Sequence, residues 1–185
     1  MTEITKAKIA ILSTHGFEQS ELMEPLRQLR KAGATVSVIS PETGQIKGWH
    51  ENNWGKGVDV DVALADARVA DYDALILPGG QMNPDTLRAN HAAVTFVRDF
   101  TKSGKLVAAI CHAPWLLIEA GVIAGRRLTS FASIQTDVKN AGGLWEDSAV
   151  VVDQGLITSR QPSDLDAFCT RIISEITEAT QNRTA

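Results

Sequence analysis

A chain of 185 residues with a hydrophobic content of 44% can bury a sizeable core, and its length fits one domain, residues 1–185, better than two. The formal charge of -4, with Lys and Arg scattered rather than clustered, provides no basic field and argues against a specific nucleic-acid site. The first eight residues are mostly polar or charged with no apolar signal core, and no later apolar run approaches the length of a membrane span, so a cytoplasmic protein without membrane contact is expected.

Strands and helices alternate along the chain. Residues 8–12 form a short apolar run ending in Ser13 and Thr14, with Gly16 marking a turn, and are expected to be the first strand. Leu22, Met23, Leu26 and Leu29 recur at helical spacing over 19–32, where Gly33 is placed as a C-terminal cap and Pro25 should kink or restart the helix. The β-branched stretch 35–39 reads as a second strand. Residues 44–62, rich in Gly and carrying Trp49 and Trp54, look like a hairpin followed by a short extended segment.

The second half repeats the alternation. Residues 74–77 are a buried strand that runs into Pro78-Gly79-Gly80. A helix through 92–100 leads to Gly104, 106–110 is a continuous apolar strand, and 113–120 reads as a helix ending at Gly121. Leu165, Phe168, Cys169, Ile172, Ile173 and Ile176 mark one face of a closing helix. Buried parallel strands with intervening helices predict an α/β fold, a doubly wound, mostly parallel sheet with helices on both faces. Its ligands are expected at the carboxyl ends of the strands.

Chemistry therefore converges on three strand ends: Gly16-Phe17-Glu18, Leu77-Pro78-Gly79-Gly80 and Ile110-Cys111-His112-Ala113-Pro114. An isolated cysteine is often an inert buried thiol. Cys111, however, stands between a strand and a helix, where a tight elbow exposes it and the positive end of the helix dipole favours thiolate, so a nucleophile of lowered pKa is expected. His112 is a candidate general base, or a histidine that merely orients or faces solvent, because neighbours on an elbow point in divergent directions. Cys169 lies on the apolar helix face and reads as core packing. Two free thiols fit a reducing compartment better than a disulfide. His15, His50 and His91 lack metal-ligand spacing, and neither metal nor cofactor is expected. Ser163 is a candidate cap for the last helix. Trp49 and Trp54 fit hairpin packing, a cleft wall or a subunit contact.

The segments His15-Gly16-Phe17-Glu18-Gln19-Ser20-Glu21-Leu22, Ala74-Leu75-Ile76-Leu77-Pro78-Gly79-Gly80, Ala109-Ile110-Cys111-His112-Ala113-Pro114 and Thr158-Ser159-Arg160-Gln161-Pro162-Ser163-Asp164-Leu165 closely resemble the PfpI branch of the ThiJ/PfpI superfamily. The resemblance covers nearly the whole chain and implies the class I glutamine amidotransferase-like, flavodoxin-like fold. Members are described as intracellular proteases, general stress proteins, glyoxalases and deglycases. It implies Cys111 as nucleophile, His112 as its neighbouring histidine and Glu18 as the acid that approaches the thiol, where a carboxylic acid kept protonated by a desolvating cleft can donate to a thiolate. Gly79 and Gly80 would offer backbone N–H donors to an oxyanion, with a plain tight turn as the competing reading. The family's third acid, which reaches into the neighbouring subunit, is matched most nearly by Asp85, after one extra residue in Gln81-Met82-Asn83-Pro84-Asp85. A homo-oligomer, at least a dimer, is implied with it.

Two functional classes follow. In one, Cys111 attacks a small-molecule or protein-bound reactive carbonyl, as a glyoxalase or deglycase in a stress response, with peptide cleavage as a harder variant that must also expel an amine. In the other, the chain is a non-enzymatic redox-sensing stress protein or chaperone whose Cys111 is oxidised to sulfenic or sulfinic acid.

Overall fold

The computed structural model describes the backbone of residues 3–184 and the side chains of residues 4–178. The strands are β1 (Lys8–Leu12), β2 (Phe17–Glu18), β3 (Thr35–Ser40), β4 (Gln45–His50), β5 (Asn53–Asp59), β6 (Val62–Ala63), β7 (Ala74–Leu77), β8 (Leu106–Ile110), β9 (Arg127–Leu128), β10 (Leu144–Trp145), β11 (Val150–Asp153) and β12 (Leu156–Ser159). The helices are α1 (Gln19–Lys31), α2 (Met82–Arg88), α3 (His91–Lys102), α4 (Pro114–Ala120), α5 (Gln135–Asn140) and α6 (Leu165–Thr184).

The main sheet has seven strands in the order β11-β12-β8-β7-β1-β3-β6. Every pairing in it is parallel except that of the edge strand β11 with β12. Alternation within the strands separates two cores, because successive side chains leave a strand on opposite faces. Ala10, Leu12, Leu75, Leu77, Val107 and Ala109 face α3 and α4. Ile9, Ile11, Ile76, Ala108 and Ile110 face the other way, onto Leu22 and Leu29 of α1 and Phe168 and Ile172 of α6. The expected doubly wound sheet with helices on both faces is the observed one.

Some local expectations are corrected. Pro25 does not restart its helix: α1 runs unbroken from Gln19 to Lys31 with Pro25 buried inside it. Only the N–H that would have met the Glu21 carbonyl is lost, and burial of the apolar face carries the helix through. Ser163 does not cap α6; it lies in a 3₁₀ turn, Pro162–Asp164, and accepts a hydrogen bond from Gln161 Nε2 at 3.0 Å. Trp49 and Trp54 pack edge to face at 5.6 Å across the β4–β5 hairpin, which joins β2 in a separate three-stranded sheet.

Three connections place the chemistry. The register Leu77↔Ala109 sets the turn after β7 beside the turn after β8. Asn83, fully buried at the start of α2, donates through Nδ2 to the carbonyls of Pro78 (2.9 Å) and Gly79 (3.3 Å). Its Oδ1 accepts from Thr14 N–H at 2.8 Å and from Ser13 Oγ at 3.2 Å, so one amide ties the ends of β1 and β7 together.

Candidate active site

Cys111 stands immediately after β8 with φ of 64°, a left-handed conformation that an L-residue adopts only when its surroundings hold it there. They do so on both sides: its N–H donates to Ser159 O at 3.1 Å and its carbonyl accepts from Phe131 N–H at 2.9 Å. Pro114 opens α4, where a missing N–H costs nothing. The elbow leaves Cys111 at 7% exposure and His112 at 4%.

The left-handed turn brings the two neighbouring side chains together rather than apart. His112 Nδ1 lies 3.2 Å from Cys111 Sγ. The imidazole is stacked on Phe131, with ring centroids 4.9 Å apart, and meets the Trp115 ring edge to face at 5.0 Å. Its other nitrogen, Nε2, lies 3.0 Å from Ser133 Oγ. Burial lowers the His112 pKa below its ordinary value, so the ring is neutral at pH 7 and can accept a proton.

The acid against the thiol is Glu21, and Glu18, expected there, does something else. Glu18 caps α1: its Oε1 accepts from Ser20 N–H at 3.3 Å and Ser20 Oγ at 2.9 Å. Glu21 lies one turn further on, fully buried, with Oε2 accepting from Gly79 N–H at 3.0 Å. Its carboxyl also interacts with the Cys111 side chain, while Oε1 has no nitrogen or oxygen partner. Burial, followed by the nearby Glu18 charge, pushes the Glu21 pKa from 4.5 up to about 8. At neutral pH the group is therefore a protonated donor.

Burial also pushes the Cys111 thiol up, with the Glu21 charge next in weight, against a partial offset from the backbone N–H groups of Gly80 and His112. The lowered pKa expected from the helix dipole is thus corrected. Desolvation outweighs the stabilisation that the backbone N–H groups of Gly80 and His112 offer the thiolate. Once Glu21 is protonated its repulsion of a thiolate vanishes, so the two groups titrate as a pair.

The double glycine is a steric necessity. A Cβ on Gly79 would fall 2.5 Å from Glu21 Oε2 and 2.6 Å from Cys111 Cβ. Gly80 has φ of 77°, and its Cβ would sit 2.6 Å from Glu18 N. Of the two backbone donors that the resemblance implies for an oxyanion, one is already engaged. Gly79 N–H is committed to Glu21, whereas Gly80 N–H favours negative charge on the Cys111 sulfur and the Glu21 carboxyl.

Asp85 lies in the first turn of α2 with its side chain 59% exposed, paired with Arg88 Nη2 at 2.6 Å. It reaches the site within one chain only through intermediaries: the Arg88 guanidinium lies 4.4 Å over the Trp115 ring, and Trp115 packs on His112. Cys169 is fully buried among core residues, and its pKa is pushed up to about 12 by burial. Among the described residues no group of three or more His, Cys, Asp or Glu side chains is placed to hold a metal. No helix among them is long and apolar enough to cross a membrane.

Glu21, Asn83, Phe131 and Ser133 were not singled out by the sequence. Glu21 carried a usable signal, since it falls on the same helical face as Pro25 and Leu29, where a carboxylate has no place unless it is protonated or paired. Ser133 carried none, because tertiary folding alone brings it to the site, 21 residues beyond His112.

Comparison with known proteins gives the chain's family. The chain is 48% identical over 163 residues to protein/nucleic acid deglycase 2 of Escherichia coli K12, an alignment covering 87% of this chain and 92% of that one. It is 43% identical over 163 residues to general stress protein 18 of Bacillus subtilis, covering 87% and 92%. Among solved structures, a two-domain protein of Anabaena variabilis with DJ-1/ThiJ/PfpI-like and ferritin-like domains superposes with a TM-score of 0.87 at 38% identity. That match covers 92% of this chain and 48% of the other. The sequence model of the DJ-1/PfpI family matches residues 7–175, and the chain belongs to that family.

Proposed function

We propose that the chain is a cysteine-dependent enzyme of reactive-carbonyl repair, of glyoxalase or deglycase type, with Cys111 as nucleophile, His112 as general base and Glu21 as a protonated acid. The observation that carries this reading is the contact of Cys111 Sγ with a neutral His112 Nδ1 at 3.2 Å, beside a carboxyl raised to about 8. The enzyme name of the E. coli relative supports it.

The chemistry follows from the proton inventory. As Sγ attacks an aldehyde carbon, the thiol proton passes to His112 Nδ1 and from there to the forming alkoxide, giving a neutral hemithioacetal. A high thiol pKa is no obstacle, because the proton leaves during attack and no standing thiolate is required. Glu21 donates towards the sulfur and keeps a second proton at hand. For an α-oxoaldehyde such as methylglyoxal, moving the C1 proton of the adduct to C2 and the C1 hydroxyl proton to the C2 oxygen converts the hemithioacetal into a thioester of a 2-hydroxy acid, which water then hydrolyses to the acid and the free thiol. Peptide cleavage asks for oxyanion donors as well. The Gly79 N–H is already committed to Glu21, which leaves fewer oxyanion donors and favours aldehydes and their early amine adducts over peptides.

The test follows methylglyoxal loss, lactate formation and peptide cleavage side by side. Lactate formation without peptide cleavage supports the proposal. Peptide cleavage alone would replace it with a peptidase. A peroxide-dependent mass gain on Cys111 without turnover would favour the redox sensor, in which protonated Glu21 donates to a sulfinate oxygen.

A further inference from the structure

We infer that Ser133 is a positioning residue for the proposed reaction: its hydroxyl oxygen accepts the His112 Nε2 proton and so fixes the tautomer that leaves Nδ1 free to deprotonate Cys111. The inference rests on the Cys111–His112 reading above and adds the group that would make the pair directional.

A neutral imidazole carries one proton on one of two nitrogens, and it serves as base towards Cys111 only if Nδ1 holds the lone pair. The proton must then sit on Nε2, 3.0 Å from Ser133 Oγ. A hydroxyl can donate or accept, but only acceptance there is compatible with a basic Nδ1 facing the thiol at 3.2 Å. Ser133, His112 and Cys111 form one line of hydrogen-bonding atoms within a single chain.

The position of Ser133 is built rather than incidental. It lies in a 3₁₀ turn, Ala132–Ile134, that follows Phe131 directly. Phe131 is tied to the elbow through its N–H on the Cys111 carbonyl at 2.9 Å, and its ring stacks on His112. Ile134 is 1% exposed and pins the other side of the turn. The segment that supports the imidazole face therefore also delivers the hydroxyl to its edge.

The charged groups around the ring act on other atoms. Arg88 of α2 lies over Trp115 and is paired with Asp85. Asp137 of α5 accepts from Trp115 Nε1 at 2.8 Å. Glu21 of α1 engages Gly79 and Cys111. His112 Nε2 meets the Ser133 hydroxyl.

The test is alkylation of Cys111 by iodoacetamide across pH 5 to 9, read by mass spectrometry in wild type, Ser133→Ala and Ser133→Thr, with thermal melts of each. In this reaction the S–C bond forms as the C–I bond breaks, iodide leaves and the thiol proton goes to His112. Ser133→Ala should slow alkylation by about tenfold with an unchanged melt. It should also move the acid limb of the rate to lower pH, because a cationic ring gains more from the lost acceptor than a neutral one. Ser133→Thr, which restores a hydroxyl, should recover most of the rate. Wild-type alkylation by Ser133→Ala, or equal losses in both variants with an unmoved acid limb, would overturn the inference. Alkylation needs no carbonyl substrate. A protein that fails to consume methylglyoxal yet shows the Ser133 pattern would refute the proposed reaction and leave this assignment standing.

Discussion

Glu18 and Glu21, one turn apart at the start of α1, have opposite fates: Glu18 turns outward to cap the helix on Ser20, and Glu21 turns inward onto Gly79 N–H beside Cys111. The outer charge is a cause of the inner group's neutrality, second only to burial. A helix start thus supplies both the acid and part of the field that keeps it protonated.

Glu21→Leu should lower turnover by about a hundredfold, whereas Glu21→Gln, which keeps a donor and the shape, should retain more. Glu18→Ala should leave most of the turnover at pH 7 but lose a helix cap worth about 1 kcal/mol. It should also move the basic limb of activity to lower pH, since removing a like charge lets Glu21 ionise sooner. Steady-state rates from pH 6 to 10 check both. A Glu18 variant as impaired as Glu21→Leu would return the role to Glu18.

Stability should fall with rising pH because of the same carboxyl. In the folded chain Glu21 holds its proton up to about 8, while the unfolded chain releases it near 4.5. Between those values the folded state binds the extra proton, so the contribution is full below 4.5 and is lost as pH rises towards 8. Glu21→Gln should flatten this fall, seen as thermal midpoints that decline less between pH 5 and 8 than in wild type. Identical slopes would show that Glu21 is ionised in the folded protein.

Gly79→Ala should abolish turnover and destabilise the fold by about 1–3 kcal/mol, because the added methyl meets both Glu21 Oε2 and Cys111 Cβ. Urea melts and activity of the same preparation measure it. A fully active Gly79→Ala protein would mean that Glu21 is not held against this turn.

The legibility of the sequence divided along physical lines. Continuous apolar runs marked the sheet, because a strand covered on both faces must be apolar throughout, as 74–77 and 106–110 are. The elbow cysteine and the double glycine were legible for a similar reason, since strand ends carry the ligand site of this architecture. What could not be read was side-chain direction. Whether Glu18 or Glu21 faces the thiol depends on where α1 begins, and a helix boundary is uncertain by a residue or two. The raised thiol pKa depends on desolvation, which depends on how every surrounding element packs.

Asp85 is exposed and paired with Arg88 in its own chain, and the action on a second subunit that the resemblance implies for it is tested by complementation. If Asp85 acts on a second subunit, Asp85→Ala should lose activity that mixing with Cys111→Ser under subunit exchange partly restores, since one site of a mixed dimer carries both intact residues. Unchanged turnover of Asp85→Ala would show that the site is complete within one chain.

The most direct test of the central claim is lactate formation from methylglyoxal by wild type and by Cys111→Ser, at matched folded concentration. Wild-type protein should form lactate as methylglyoxal is consumed, and Cys111→Ser should lose at least about a thousandfold of that rate. Lactate formation by Cys111→Ser at the wild-type rate, or none by either protein, would contradict a thiol-dependent carbonyl enzyme.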